Sequence, residues 1–203
     1  EGTKDFGNFL FQVTAPGKLT FDLAGHTLKV VGKKAVFYAQ GTTDNAEAEI
    51  VINDSVGGSK VEFSALGTGE YGVSAIRAYA SPKKGTSTAK IVVNGGSFEV
   101  TATENNYASP AVMAYAPSTT GVVEVTINDG YFKSCVAKDC SGNSTVLLAA
   151  KSESSKITIN GGYFETAGEF AGKLYVLNMQ DGWNGAIYVN GGTFKNYLPD
   201  NIY

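Results

Sequence analysis

VNGGSF (93–98), INDGYF (127–132), INGGYF (159–164) and VNGGTF (189–194) are four copies of one hexamer, and their reading decides the fold. The closing phenylalanines, Phe98, Phe132, Phe164 and Phe194, are separated by 34, 32 and 30 residues. A recurrence of that length marks a stacked repeat, in which no unit can bury its own apolar face and neighbours bury it together. Two degenerate copies precede these four. LAGHTL (23–28) keeps the apolar–turn–apolar frame, and Ile52-Asn53-Asp54 opens a copy interrupted by Val56-Gly57-Gly58 before Val61.

The residues ahead of each hexamer alternate, as in Lys156-Ile157-Thr158-Ile159 and Glu124-Val125-Thr126-Ile127. Period 2 is the mark of a strand with one buried face. A second short run of apolar and small residues lies between hexamers, at 9–13, 35–40, 74–79, 111–116, 145–150 and 174–179. Each unit therefore predicts a strand, a tight Asn-Gly turn, a strand beginning at Phe, a loop, a third strand and a variable loop. Asn-Gly is also a hairpin signal, but hairpins pair each strand with its sequence neighbour. Here the same three strand types return in the same order, so equivalent strands of successive units lie side by side in parallel.

The predicted fold is all-β, a right-handed single-stranded parallel β-helix (solenoid) of about six coils with three short strands per coil. It forms one domain over 1–203, with coils near 8–34, 35–73, 74–110, 111–144, 145–173 and 174–203. Like residues then meet like. The four phenylalanines stack in an internal column continued by Leu28, and the glycines after Asn suit bends that need φ > 0. Asn94, Asn128, Asn160 and Asn190 are placed to stack their amides into a ladder. The alternative is that each serves only its own turn.

Composition agrees with a single globular β domain. The 203 residues are 43% hydrophobic and 17% charged, with 25 glycines and 22 Tyr plus Phe. No apolar run approaches the 18 residues of a membrane-spanning helix. The net charge is −3 and Arg77 is the only arginine, which argues against a nucleic-acid surface. The chain opens on Glu1 without a Met or a signal-like segment, and reads as a processed product or an excised piece.

At these residues the chain resembles the right-handed parallel β-helix of the pectin-lyase-like superfamily. FDLAGHTLKV (21–30) looks like an opening coil of that family, and the [IV]-N-[GD]-G-[STY]-F copies are similar to its degenerate repeats. The resemblance spans about residues 8–196. It implies a fold shared by polysaccharide lyases and hydrolases, adhesins, bacterial surface proteins and phage tail-spike or fibre segments, and it does not choose among them.

The enzymes of that fold need clustered carboxylates, or acidic metal ligands beside a base. No two acidic residues are adjacent in the chain. Glu99, Lys133, Glu165 and Lys195 each follow a hexamer phenylalanine, so they predict one outward column of alternating sign, a pairing device more than a reaction centre. His26 falls at the second glycine position of its turn and is expected to face solvent. Arg77 lies beside Tyr79 in the third strand, either to grip a sugar or to lay its stem along the surface.

Tyr79 and Tyr115 occupy equivalent positions, as do Tyr131 and Tyr163. Exposed, these pairs would form an aromatic strip for carbohydrate or protein; otherwise they cover the coil edges. The Cys135–Cys140 spacing permits a small disulfide in an oxidising compartment, the alternative being two unpaired thiols. The C-x4-C spacing lacks a second pair, so neither a metal site nor a cofactor is expected.

The expected role is a non-enzymatic β-helix, extracellular, on a cell surface or on a virion, acting as a rigid structural, adhesion or receptor- or glycan-binding module. The alternative is a carbohydrate-active enzyme. The partners expected are a glycan or surface receptor, with a homo-oligomer such as a trimer covering flat faces and open ends, and no nucleic acid or membrane insertion. The apolar residues Tyr197, Leu198, Pro199, Ile202 and Tyr203 are expected to cap the last coil or meet a neighbour.

Overall fold

A computed structural model describes residues 4–5, 9–66, 73–102, 109–136, 144–168 and 174–195. After β1 (Lys4–Asp5) the first coil contains β2 (Phe9–Thr14), β3 (Gly17–Asp22) and β4 (Thr27–Gly32). The second contains β5 (Ala35–Gly41), β6 (Ala46–Asn53) and β7 (Lys60–Ala65), and the third β8 (Ser74–Ala80), β9 (Ser87–Val93) and β10 (Ser97–Ala102). Then come β11 (Val112–Ala116), β12 (Gly121–Ile127) and β13 (Tyr131–Val136), and β14 (Ser144–Ala150), β15 (Lys156–Ile159) and β16 (Tyr163–Gly168). The last coil holds β17 (Tyr175–Met179), β18 (Ala186–Val189) and β19 (Thr193–Lys195).

These strands form three parallel sheets wound as a β-solenoid of about 5 turns, with no helix among the described residues. Sheet A runs β1-β4-β7-β10-β13-β16-β19, sheet B runs β17-β14-β11-β8-β5-β2, and sheet C runs β18-β15-β12-β9-β6-β3. The three-strand unit read from the repeat is the unit observed. The strands of sheet C precede each hexamer, those of sheet A begin one residue before its phenylalanine, and those of sheet B are the second apolar run.

Register places like on like. Leu28, Val61, Phe98, Phe132, Phe164 and Phe194 form one row across sheet A. The four rings stack with centroids 5.4, 5.0 and 5.1 Å apart, tilted by only 10–11°. In the first two coils the smaller Leu28 and Val61 leave room that rings from the other sheets fill. Phe11 and Phe37 stack at 5.1 Å, Phe21 meets Phe37 edge-on, and Phe37 reaches Phe98 at 6.4 Å. Burying each ring stabilises the coil by roughly 1.5–3 kcal/mol, and interior volume is conserved although the residue types change.

The asparagine ladder is present and is one rung longer than the hexamers alone suggest. Asn94, Asn128, Asn160 and Asn190 each donate from Nδ2 to the Oδ1 of the preceding coil's asparagine, beginning at Asn53, over 2.7–2.8 Å. The bends need glycine at the second turn position. Gly130 has φ +134, and a Cβ there would lie 2.9 Å from the Gly96 carbonyl oxygen.

One alignment is corrected. Phe21, not Leu23, pairs in register with Ile52 and so falls in the row of Val93, and Asp22 takes the asparagine position. The LAGHTL turn is therefore two residues longer than the VNGGSF turn. Leu23, one of the added residues, folds inward and is buried against Gly96. His26 keeps the second-glycine place, its carbonyl accepting from Lys60 N as Gly96 O accepts from Tyr131 N.

Candidate functional site

The outward residues of sheets A and C arise from strand alternation, since every second side chain points away from the core. On sheet A, Glu99, Lys133, Glu165 and Lys195 share one register row as the sequence predicts, and Lys29 and Glu62 extend it toward the N-terminal end. Lys29 pairs with Glu62 at 3.5 Å and Lys195 with Glu165 at 2.9 Å. Glu62 and Glu99 are the one like-charged step in this row.

Glu165 is more enclosed than Glu62, the other paired acid of the row. Its Oε1 accepts from Lys195 Nζ and its Oε2 from the Tyr131 hydroxyl at 3.2 Å. The Lys195 hydrogen bond holds the Glu165 carboxyl below the usual glutamate range against the opposing effect of burial, and the Tyr131 hydroxyl adds to it. Burial, then the charge of Glu165, pushes Tyr131 up to about 12. Tyr131 and Tyr163 stack on adjacent coils, centroids 5.5 Å apart and 16° from parallel. Each turns a face to the other, so the faces a sugar ring would need are partly occupied.

Sheet C carries a second charged row that the sequence reading missed. Lys18, Glu49, Lys90, Glu124 and Lys156 lie in register and alternate strictly in sign. Lys18 contacts Glu49 at 2.5 Å, Lys90 sits 3.8 Å from both Glu47 and Glu124, and Lys156 is 3.2 Å from Glu124. The signal was legible: each residue stands three positions before the strand's closing apolar residue, Phe21, Ile52, Val93, Ile127 or Ile159.

Sheet B behaves differently, because part of its outward face, beyond the first coil, is buried as well. Tyr38, Arg77, Met113 and Leu147 form one outward row. Tyr38, Met113 and Leu147 are 5%, 0% and 4% exposed. Tyr79 and Tyr115 are in register, half-buried, with centroids 5.6 Å apart.

Tyr38 joins Tyr79 at 6.2 Å, and Trp183 stacks on Tyr115 at 5.8 Å, giving a four-ring run of which two members escaped the sequence reading. Trp183 comes from the turn after β17, outside the repeat, while the fifth coil offers only Ala149 in register with Tyr115. That turn is pinned to the fifth coil by an Ala150–Asn184 bridge and by Asn184 Nδ2 donating to Lys151 O at 2.9 Å.

The Arg77 guanidinium lies 5.4 Å from the Tyr115 ring centroid, and Lys151 Nζ 5.5 Å from that of Trp183. Burial lowers the Arg77 pKa, opposed by the neighbouring tyrosines, and raises Tyr38 to about 12. Arg77 thus lies within the aromatic layer, and the tyrosine run is a packed layer more than an open strip.

His26 is exposed in its turn. Cys135 is half-buried with a free thiol, and Cys140 lies outside the described residues, as do the C-terminal apolar residues expected to form a cap. Among the described residues no group of three His, Cys, Asp or Glu side chains is placed to hold a metal ion. Nor, among the described residues, is any helix long and apolar enough to cross a membrane. No protein-family model, curated protein or solved structure matches this chain.

Proposed function

We propose that the chain is a non-enzymatic, rigid β-solenoid module of the pectin-lyase-like kind, displayed outside the cell or on a virion, where it serves structural support, adhesion or glycan and receptor binding. One observation carries this reading: the outward charges Lys18, Glu49, Lys90, Glu124 and Lys156 of sheet C, and Lys29 with Glu62 and Glu165 with Lys195 of sheet A, pair with one another across coils. Charge arranged in pairs along the axis stiffens a scaffold, whereas a reaction centre needs groups held with their pKa values apart and facing substrate. The test has two arms. The purified chain is expected to leave uronic-acid and neutral polysaccharides uncleaved, and to bind immobilised glycans or intact cell surfaces.

A second reading, a carbohydrate-active enzyme, is favoured by Glu62 and Glu99 standing in register on adjacent strands. Adjacent parallel strands lie about 4.8 Å apart, close to the separation of about 5–5.5 Å between the carboxyls of a retaining glycosidase. Polysaccharide cleavage abolished by Glu62→Gln or Glu99→Gln would replace the first reading with this one.

A further inference from the structure

Sheet C carries two rows side by side on its outward face. One is the alternating row Lys18, Glu49, Lys90, Glu124 and Lys156, which Ala186 continues on β18. Two positions further along each strand stand Thr20, Val51, Val92, Thr126, Thr158 and Tyr188, in register and without a charge. Val51, Val92, Thr126 and Thr158 are half-buried. Mostly β-branched side chains at outward positions of a flat sheet suit packing against a second sheet about 10 Å away.

The order along these rows selects the occupant. A second copy can be set face to face on sheet C, related by a two-fold axis that runs along the strands between β9 and β12. This operation keeps each row over its own counterpart and reverses the order of the coils. Lys90 then faces Glu124 of the second copy, Glu49 faces its Lys156, and Lys18 faces its small Ala186, so no charge meets its own sign. In the uncharged row Val92 faces Thr126, Val51 faces Thr158, and the short Thr20 faces the long Tyr188. Sheet A fails the same test, because its row reversed about its midpoint sets Lys29 against Lys195 and Glu62 against Glu165. Ion pairing within one chain requires the alternating signs but not the uncharged row beside them.

We propose that the outward face of sheet C is an isologous interface that pairs two copies of this chain with their axes antiparallel. Six strands, each about 20 Å long and about 4.8 Å from the next, give a face of about 500 Å² on each copy, at the low end of specific interfaces. The dimer therefore forms and parts with concentration.

Sedimentation equilibrium of the full chain between about 10 μM and about 1 mM is expected to show monomer and dimer, with less dimer in high salt. In a homodimer, Lys90→Glu or Glu124→Lys sets two like-charged contacts across the axis, and each is expected to weaken self-association at least about tenfold. Mixing the two variants restores both contacts: the introduced Glu faces the introduced Lys, and the native Glu124 faces the native Lys90. The mixture is thus expected to dimerise where neither variant does alone. Mixing leaves each chain's own coils as they were, so this recovery cannot come from repaired pairing within a chain. Thr126→Arg, which leaves every native ion pair in place, is expected to weaken the dimer as well. A parent chain that stays monomeric or forms a trimer, variants that associate like the parent, or a mixture that gains nothing would overturn the proposal. Association is read without any glycan, so it stands or falls separately from the proposed function.

Discussion

Asn128 donates to Asn94 Oδ1 at 2.7 Å and accepts from Asn160 at 2.8 Å, so both halves of its amide are engaged. Aspartate forms the same local turns as asparagine but has no N–H. Asn128→Asp therefore separates the two roles: a purely local turn former would tolerate it, whereas a ladder rung would not. The expected cost is about 1–3 kcal/mol in urea denaturation, more than that of Asn128→Ala, because the carboxylate would face the Asn94 oxygen across the rung.

At the same scale, pH acts on two kinds of group with opposite signs. Glu165 has a folded pKa below its unfolded value, so its contribution is present above the unfolded glutamate value of about 4.3 and is lost as pH falls through the lowered folded one. Tyr38 and Tyr131 are raised to about 12, so their contribution is present below the unfolded tyrosine value of about 10 and is lost as pH rises through 12. Urea midpoints measured across pH should fall at both ends, and Glu165→Gln should flatten the acid limb. Phenolate absorbance should show tyrosines ionising late, one fewer in Tyr131→Phe.

Among the elements, the charged row of sheet C is the clearest case of strand-to-strand complementarity. Each of its exposed pairs contributes only about 0–1 kcal/mol, so Lys90→Ala is expected to be nearly neutral. Lys90→Glu is different, because it sets a third carboxylate beside Glu47 and Glu124. The expected ordering in thermal melts is Lys90→Glu clearly below Lys90→Ala, with Glu124→Lys added to Lys90→Glu recovering part of the loss. High salt should shrink all three differences.

The strands themselves were legible because alternation and the recurring turn are local properties, read without any partner. What misled was the first turn, where LAGHTL mimics the hexamer. Parallel pairing takes its register from Phe21 and Asp22 instead, and the extra length is absorbed by burying Leu23.

For the molecule as a whole, stacking makes stability a sum of coil energies and nearest-neighbour interfaces, so the ends are the weak points. Among the described residues the coil of β17, β18 and β19 has one neighbour, and its interior residue Val189 is half-exposed. Amide hydrogen exchange is expected to be fastest in β17, β18 and β19 and slowest in β8 to β16, where every strand is paired along both of its edges. Trp183→Ala should accelerate exchange in the last coil alone, since the turn bearing this ring is tied to β14 through the Ala150–Asn184 bridge. Uniform protection along the axis would contradict a coil-by-coil stack.

The sequence by itself determined the period, the order of the three strands and the inward aromatic column, because parallel stacking brings each residue onto its own counterpart one repeat away; that the asparagines form a ladder, and do not each serve only their own turn, was decided by the structure. The candidate surface was only half legible for the same reason. Glu99, Lys133, Glu165 and Lys195, and the tyrosine pairs, sit at fixed offsets from the hexamer and could be placed by counting. Only the tertiary structure decided that Trp183 stacks on Tyr115, that Arg77 lies within the tyrosine layer, and that the outward face of sheet B is buried at Met113 and Leu147. Those contacts join a turn or a third strand to residues in other coils at no constant spacing. Proximity in space, not periodicity, sets them.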